Sequence, residues 1–367
     1  MQPGRVRAGR NPRTRGLAVA VTGAATGVGR LLAERLAHHP DVAQVVAIDD
    51  VRGDLEGVTW RVLDLTEPAI VSRLTGCDVV VHTATSIGVA DDIADRSRRN
   101  VRGAQTVLTA SAAAGVRRVV VVTSAMVYGA AADNPVPLDE DAPLRAEPDG
   151  ALISDLLEIE ELCARAPRSH TGMAVTVVRP AALVGPGVDT VLTRHFEAPR
   201  LLVIRGSEPA WQFCHLDDLA SALEFTVIHD LDGPLTVGCD GHLDQHEVEM
   251  VSGRSRIELG ASFAFGAAQR LHRLGLTPAP ASELHFVTHP WVVSGTRLHD
   301  AGWRARYGNA EALTDLMKEV AGRHTLASRR IGRRETAAAA TIGAAGATVA
   351  ILGTAVAVRK ARRRKRG

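Results

Sequence analysis

LAVAVTGAATGVG, residues 17–29, sets a six-residue apolar run, Leu17–Thr22, directly before a glycine-rich turn. A helical pattern from Arg30 to His38 follows at once. Gly23, Gly27 and Gly29 permit a tight turn, and they let a phosphate-bearing ligand approach the backbone N–H groups at the helix N-terminus. Working outward, apolar runs recur at Val45–Asp49, Val58–Asp64, Val79–His82, Arg118–Thr123 and Val175–Arg179. Helical patterns lie between several of them, at Ile70–Leu74, Asn100–Gly115 and Ile153–Ala166. Continuously apolar strands separated by helices mark a parallel sheet covered on both faces. The fold class is therefore α/β, a doubly wound Rossmann sheet, with a smaller unit after it.

Asp49 ends the second strand about twenty residues beyond Gly29, the place where a carboxylate accepts hydrogen bonds from adenosine ribose hydroxyls. A carboxylate there repels a 2′-phosphate, so NAD is expected over NADP, although Arg52 just past the strand could serve a phosphate. Thr22, Gly23, Thr26, Gly27, Val28, Gly29 and Asp49 form the expected cofactor loop.

Of the 367 residues, 46% are hydrophobic and 23% charged, an ordinary balance for a globular chain with an ample core. The net charge of +2 names no partner, and no nucleic-acid partner is expected. Basic residues instead crowd both ends. Cys77, Cys163, Cys214 and Cys239 form no C-x-x-C pair, which fits reduced buried thiols rather than a disulfide frame or a zinc site.

Further segments carry a family resemblance: IDD at 48–50, LDL at 63–65, VVHTAT at 80–85, NVRG at 100–103, GVRRVVVVTSAMVYG at 115–129, VRPAALVGPG at 178–187, FCHLDDLA at 213–220 and TRLHDAGW at 296–303. With the glycine turn they make the chain resemble the extended short-chain dehydrogenases of the NAD-dependent epimerase/dehydratase family, and the actinobacterial UDP-glucose 4-epimerase-like proteins in particular. The resemblance implies that Asp64 and Leu65 border the adenine. It also implies that His82, Thr83 and Ala84, through Thr85, line the pyrophosphate and nicotinamide-ribose side. Asn100 would support the active-site helix, Thr123 would lie on the cofactor, and Ser124 would take the catalytic Ser/Thr slot. The substrate class implied is a nucleotide sugar or a lipid-linked relative, with a homodimer left open. The glycine spacing departs from the extended pattern: it is G-x-x-x-G-x-G here, closer to the simple short-chain enzymes.

A second departure bears on chemistry. The family's Tyr-x-x-x-Lys pair is missing. The only tyrosines are Tyr128 and Tyr307, four residues before Ala132 and Glu311, and no lysine precedes Lys318. Aligning the helix after residue 150 puts Ala151 in the Tyr slot and Asp155 in the Lys slot. Alanine exchanges no proton, and a carboxylate raises a neighbouring phenol's pKa instead of lowering it. Three readings stay open: binding without turnover, another base (Asp155 or His82, with Ser124), or a group supplied by a partner. Around these, Glu158, Glu160 and Glu161 read as a solvated helix face, and Asp217 or Asp218 as the start of a helix. Arg194 and Arg205 are candidates for binding substrate phosphates.

Thr336–Val358 is an uncharged run of 23 residues with arginines on both sides. At about 1.5 Å per residue it could span a hydrocarbon core of about 30 Å. The expected organisation is a basic arm over 1–16, the NAD-binding Rossmann domain over 17–187, a substrate-type unit over 188–325 with elements returning to the Rossmann domain near 213–235, a membrane helix over 336–358 and a basic tail over 359–367. That places the protein in the cytoplasm, held by the C-terminal segment to the anionic inner face of the cell membrane. A non-catalytic dinucleotide sensor or scaffold for a membrane partner is the alternative.

Overall fold

The computed structural model describes residues 16–89, 92–274, 280–321, 325–326 and 329–330. The first half alternates strands and helices: β1 (Leu17–Thr22), α1 (Gly27–Ala37), β2 (Val42–Asp49), β3 (Thr59–Val62), α2 (Ile70–Leu74), β4 (Val79–His82) and α3 (Ile93–Ser97). A π-helical turn, Arg98–Arg102, then leads into α4 (Gly103–Ala113). Next come β5 (Arg118–Val122), a 3₁₀ turn Ala125–Tyr128, α5 (Leu152–Ser169) and β6 (Ala174–Pro180). The remainder holds β7 (Ala182–Val184), α6 (Val191–Glu197), β8 (Leu201–Ile204), β9 (Phe213–His215), α7 (Leu216–Ile228), β10 (Gly233–Val237), α8 (Gln245–Ser252), β11 (Arg256–Leu259) and α9 (Ala261–Arg273). A 3₁₀ segment Ala281–Val287, α10 (Thr296–Ala301) and α11 (Asn309–Glu319) follow.

Seven strands form one sheet in the order β3-β2-β1-β4-β5-β6-β10, every pair parallel. The alternation along each strand explains why the strands read as unbroken apolar runs. Val19, Val21, Val79, Val81, Val120 and Val122 enter the core on one face. Ala20, Val46, Ile48, Val80, Val119 and Val121 enter the core on the other. Neither face meets water, so neither set of positions admits polar residues. The sheet winds one way from β1 to β3 and the other way from β4 onward. Its switch point lies between β1 and β4, and a crevice opens there at the carboxyl ends of the strands.

On α5, Leu156, Ile159, Cys163 and Ala166 form the buried face, as their spacing predicts. The expectation for the acidic run holds for Glu158 and Glu161 but not for Glu160, which is buried. Glu160 lies four residues after Leu156 and three before Cys163, so helical periodicity turns it inward. The expected helix over 100–115 begins instead with the π-helical turn. Among the described residues no helix is long and apolar enough to cross a membrane. The expected membrane helix over 336–358, the tail over 359–367 and the arm over 1–15 lie outside the described residues.

Candidate functional site

The glycine turn divides its labour. A Cβ on Gly23 would sit 2.9 Å from the Ala84 Cα, and one on Gly29 would sit 2.1 Å from the Gly23 carbonyl oxygen. Those two glycines let α1 press against β1 and the residues after β4. Gly27, with φ of +55°, faces nothing within 4 Å, so the turn is open at the point where a ligand would approach. Thr26 leads into α1 in extended conformation without a side-chain capping bond, and the first helical N–H groups stay available to an anion. Val28 is partly buried against the core.

Asp49 sits at the tip of β2 beside this turn. Its Oδ2 accepts from the Ala25 N–H and its Oδ1 from the Asp50 N–H, both at 2.8 Å. A carboxylate has about four acceptor sites, which leaves capacity for ribose hydroxyls. Partial burial raises its pKa, against the backbone donor of Ala25. Turn and acid are thus locked together before any cofactor arrives, and the residues present fit a dinucleotide.

At the switch point, His82 Nδ1 lies 2.7 Å from Thr22 Oγ1, and Thr83 Oγ1 donates to the Thr22 carbonyl at 2.7 Å. His82 is fully buried, and burial pulls its pKa down to about 4. Its Nε2 is buried without a partner among the described residues. It stays a neutral ring that ties β4 to β1. Asp64, exposed past β3, holds the Thr66 N–H and hydroxyl through Oδ1, and those bonds keep its pKa low. Leu65 is partly buried against the second core.

Ser124 follows β5, buried, with its Oγ accepting from the Met126 N–H at 3.2 Å, so its hydroxyl proton is still available to donate. It lines a cavity with Arg96, Leu152, Glu283 and Trp291. Thr123 borders the same cavity, and its hydroxyl donates to Glu160 at 2.8 Å. Asn100, on the π-helical turn, exchanges bonds with the Ser86 backbone and donates to Asp155 Oδ2 at 3.1 Å. Asp155 is buried, with the Arg96 guanidinium 3.8 Å away. The π turn is a feature often found at functional sites, and it carries Asn100 to this meeting point.

Neither tyrosine replaces the missing phenol. Tyr128 is fully buried, donating to the Glu140 carbonyl and accepting from Arg179 Nη1 at 2.7 Å, while Arg179 grips both oxygens of Glu160. Tyr307 stacks on His215 at 3.9 Å between ring centroids, outside the Ser124 cavity. Asp218 accepts from the Arg306 and Tyr307 N–H groups, and His215 caps α7, so this motif builds structure here. Arg194 is buried and held by both oxygens of Asp189, whereas Arg205 is exposed. All four cysteines are buried free thiols, as expected.

Sequence reasoning missed Arg96 and Glu283. Arg96 lies in the arginine-rich run 96–102 with nothing to distinguish it, and Glu283 lies in a stretch whose periodicity is weak.

Residues 19–235 match the NAD dependent epimerase/dehydratase family. The chain belongs to that family. An uncharacterized protein of Mycobacterium tuberculosis is 28% identical over 313 residues, covering 82% of this chain and 83% of its own. A 3-diazoavenalumate denitrifying reductase of a Streptomyces species is 30% identical over 191 residues, 48% of this chain and 60% of that one. Among solved structures, a UDP-glucose 4-epimerase of Thermus thermophilus in complex with NAD has a TM-score of 0.62 at 18% identity, covering 83% of this chain and 99% of that one. The family description carries the cofactor that the glycine turn and Asp49 lead one to expect.

Proposed function

We propose that this family member binds NAD at the β1–β4 switch point and acts on a substrate in the Ser124 cavity without the Tyr-x-x-x-Lys relay. The observation that carries the reading is the pairing of an intact dinucleotide cradle with an altered reaction end. Gly27 is open and Asp49 is poised, yet Ala151 heads α5 where the family has its phenol. Gly27, the α1 N-terminus and Asp49 would hold the dinucleotide; Thr22, His82, Thr83 and Ala84 shape the strand ends beneath it. Asp64 and Leu65 would border the adenine, Asn100 would brace the helix, and Ser124 would hydrogen-bond the reacting oxygen. Bound NAD supplies two-electron redox chemistry. Residues 17–187, joined by the returning stretch near 213–235, form the cofactor side and the rest of 188–325 the substrate side.

The substrate is a nucleotide sugar or a lipid-linked relative, a reading supported by the nucleotide-sugar name of the structural neighbour. Action at the membrane rests on the run 336–358 and its basic flanks alone. The deciding experiment is calorimetric titration of the full chain with NAD and NADP, followed by a turnover assay on UDP-glucose and UDP-galactose. Tight NAD binding with turnover supports an enzyme; the same binding without turnover supports the sensor reading. No NAD binding sinks both.

A further inference from the structure

The 3₁₀ segment Ala281–Val287 closes over the N-terminus of α5, where Ser282 Oγ donates to Asp149 Oδ2 at 3.4 Å. Asp149 in turn accepts from the N–H groups of Ala151 and Ser154. The stretch holding the vacated phenol slot is thus fastened to the segment that carries Glu283. Glu283 is buried, only 6% exposed. It lines the same cavity as Ser124 and Leu152, and so does Arg96, whose Nε is buried without a hydrogen-bond partner.

Charge balance makes this arrangement unusual. Arg96, on α3, is the cation that faces Glu283, and it also faces Asp155. Asp149, ahead of α5, adds a second negative neighbour to Glu283. On its own segment His285 packs against Phe265 of α9, its pKa lowered by burial and by His289. Arg96 already lies against Asp155, so Glu283 is buried beside a cation that is shared with another carboxylate. Burial, with the charge of Asp149 behind it, pushes Glu283 up to about 7, against the pull of Arg96. A carboxyl near neutrality can both give and take a proton.

We propose that Glu283 is the proton-transfer group of this cleft, doing the work of the absent phenol, with Arg96 as the buried cation beside it. The proposal rests on the cofactor reading above. When a substrate carbonyl is reduced, the Glu283 O–H bond breaks and an O–H bond forms on the substrate oxygen. The carbon takes a hydride, hydrogen with two electrons, from the reduced nicotinamide as the nicotinamide C–H bond breaks, and the carboxylate is reprotonated from water. In oxidation the carboxylate takes the hydroxyl proton while the hydride passes from carbon to the oxidised nicotinamide. The cavity walls of Ile87, Val89, Met126, Leu192 and Trp291 are apolar and keep water from the reacting group.

The test is an infrared pH titration of the carboxylic C=O stretch in the full chain, without and with NAD, for wild type, Glu283→Gln, Glu283→Asp and Arg96→Gln. The expected wild-type band fades with a midpoint near 7 and is lost in Glu283→Gln. It moves to higher pH in Arg96→Gln and to lower pH when NAD binds and brings its cationic nicotinamide ring to the cavity. Calorimetry should show NAD affinity in Glu283→Gln within about twofold of wild type. A band unchanged in Glu283→Gln overturns the proposal, as does a Glu283 band indifferent to NAD that binds. Should Glu283→Gln not fold, Glu283→Asp must still show a shifted band. Failure of NAD to bind while the band titrates overturns the cofactor reading alone.

Discussion

Asp49 and Glu283 show how one side-chain group, the carboxyl, is set apart by its environment. Asp49 is half-buried and answered by two backbone donors, so it can remain ionised beside a ribose. Replacing it with Ala should weaken NAD binding about tenfold or more, the scale of hydrogen bonds to a charged group, and narrow the preference over NADP. Titration of the variant with both dinucleotides checks this. Glu283 is instead buried with Asp149 as a negative neighbour. Its folded pKa, near 7, lies above the ordinary glutamate value of 4.5, so its contribution to stability is present below 4.5 and lost as pH rises through 7. The loss amounts to about 3 kcal/mol. His82 and His195 act in the opposite sense: burial lowers both to about 4, so their contribution is present above 6.5 and lost as pH falls through 4. Two histidines outweigh one glutamate, and wild type should be less stable at pH 5 than at pH 7. Glu283→Gln should steepen that rise, as urea unfolding at both pH values would reveal. An unchanged slope would contradict the buried acid.

At the scale of elements, α5 is held to the sheet by a polar clamp as well as by its apolar face. Arg179 on β6 grips Glu160 on α5, Tyr128 joins it from the 3₁₀ turn, and Thr123 donates to the same carboxylate. Arg179→Met strands Glu160 as a lone buried charge and should cost about 3–5 kcal/mol, measured by denaturant unfolding. The double variant Arg179→Met/Glu160→Met should recover most of that loss. The glycine turn is equally exacting. Gly29→Ala would drive a methyl onto the Gly23 carbonyl, and a soluble variant should bind NAD much more weakly by calorimetry. These elements differ in how far the sequence disclosed them. The sheet was legible because strands buried on both faces can hold only apolar residues, and the turn because its glycines answer a steric demand. Glu160 was not, since an acid among acids gives no sign of a partner nineteen residues away on β6. Arg96 and Glu283 escaped for a similar reason: their meaning lies in long-range proximity, and only the fold supplies that.

The whole molecule joins a conventional cradle to an altered reaction end. β10 completes the sheet from far along the chain, and the segment at 281–287 returns to cover α5, so the later residues shape the cavity that the earlier ones begin. Action at the membrane, proposed on the sequence of the run 336–358, has a test of its own. The full chain should sediment with membranes, and a chain ending near Arg330 should not. Release by high salt alone would indicate surface attachment, because screening removes the arginine contribution but not a spanning helix. The central claim, an intact NAD site on a chain without the family's proton relay, meets its most direct test in calorimetric titration of the purified full chain with NAD and with NADP. The account predicts saturable binding of NAD, tighter than NADP; absence of NAD binding, or tighter binding of NADP, would contradict it.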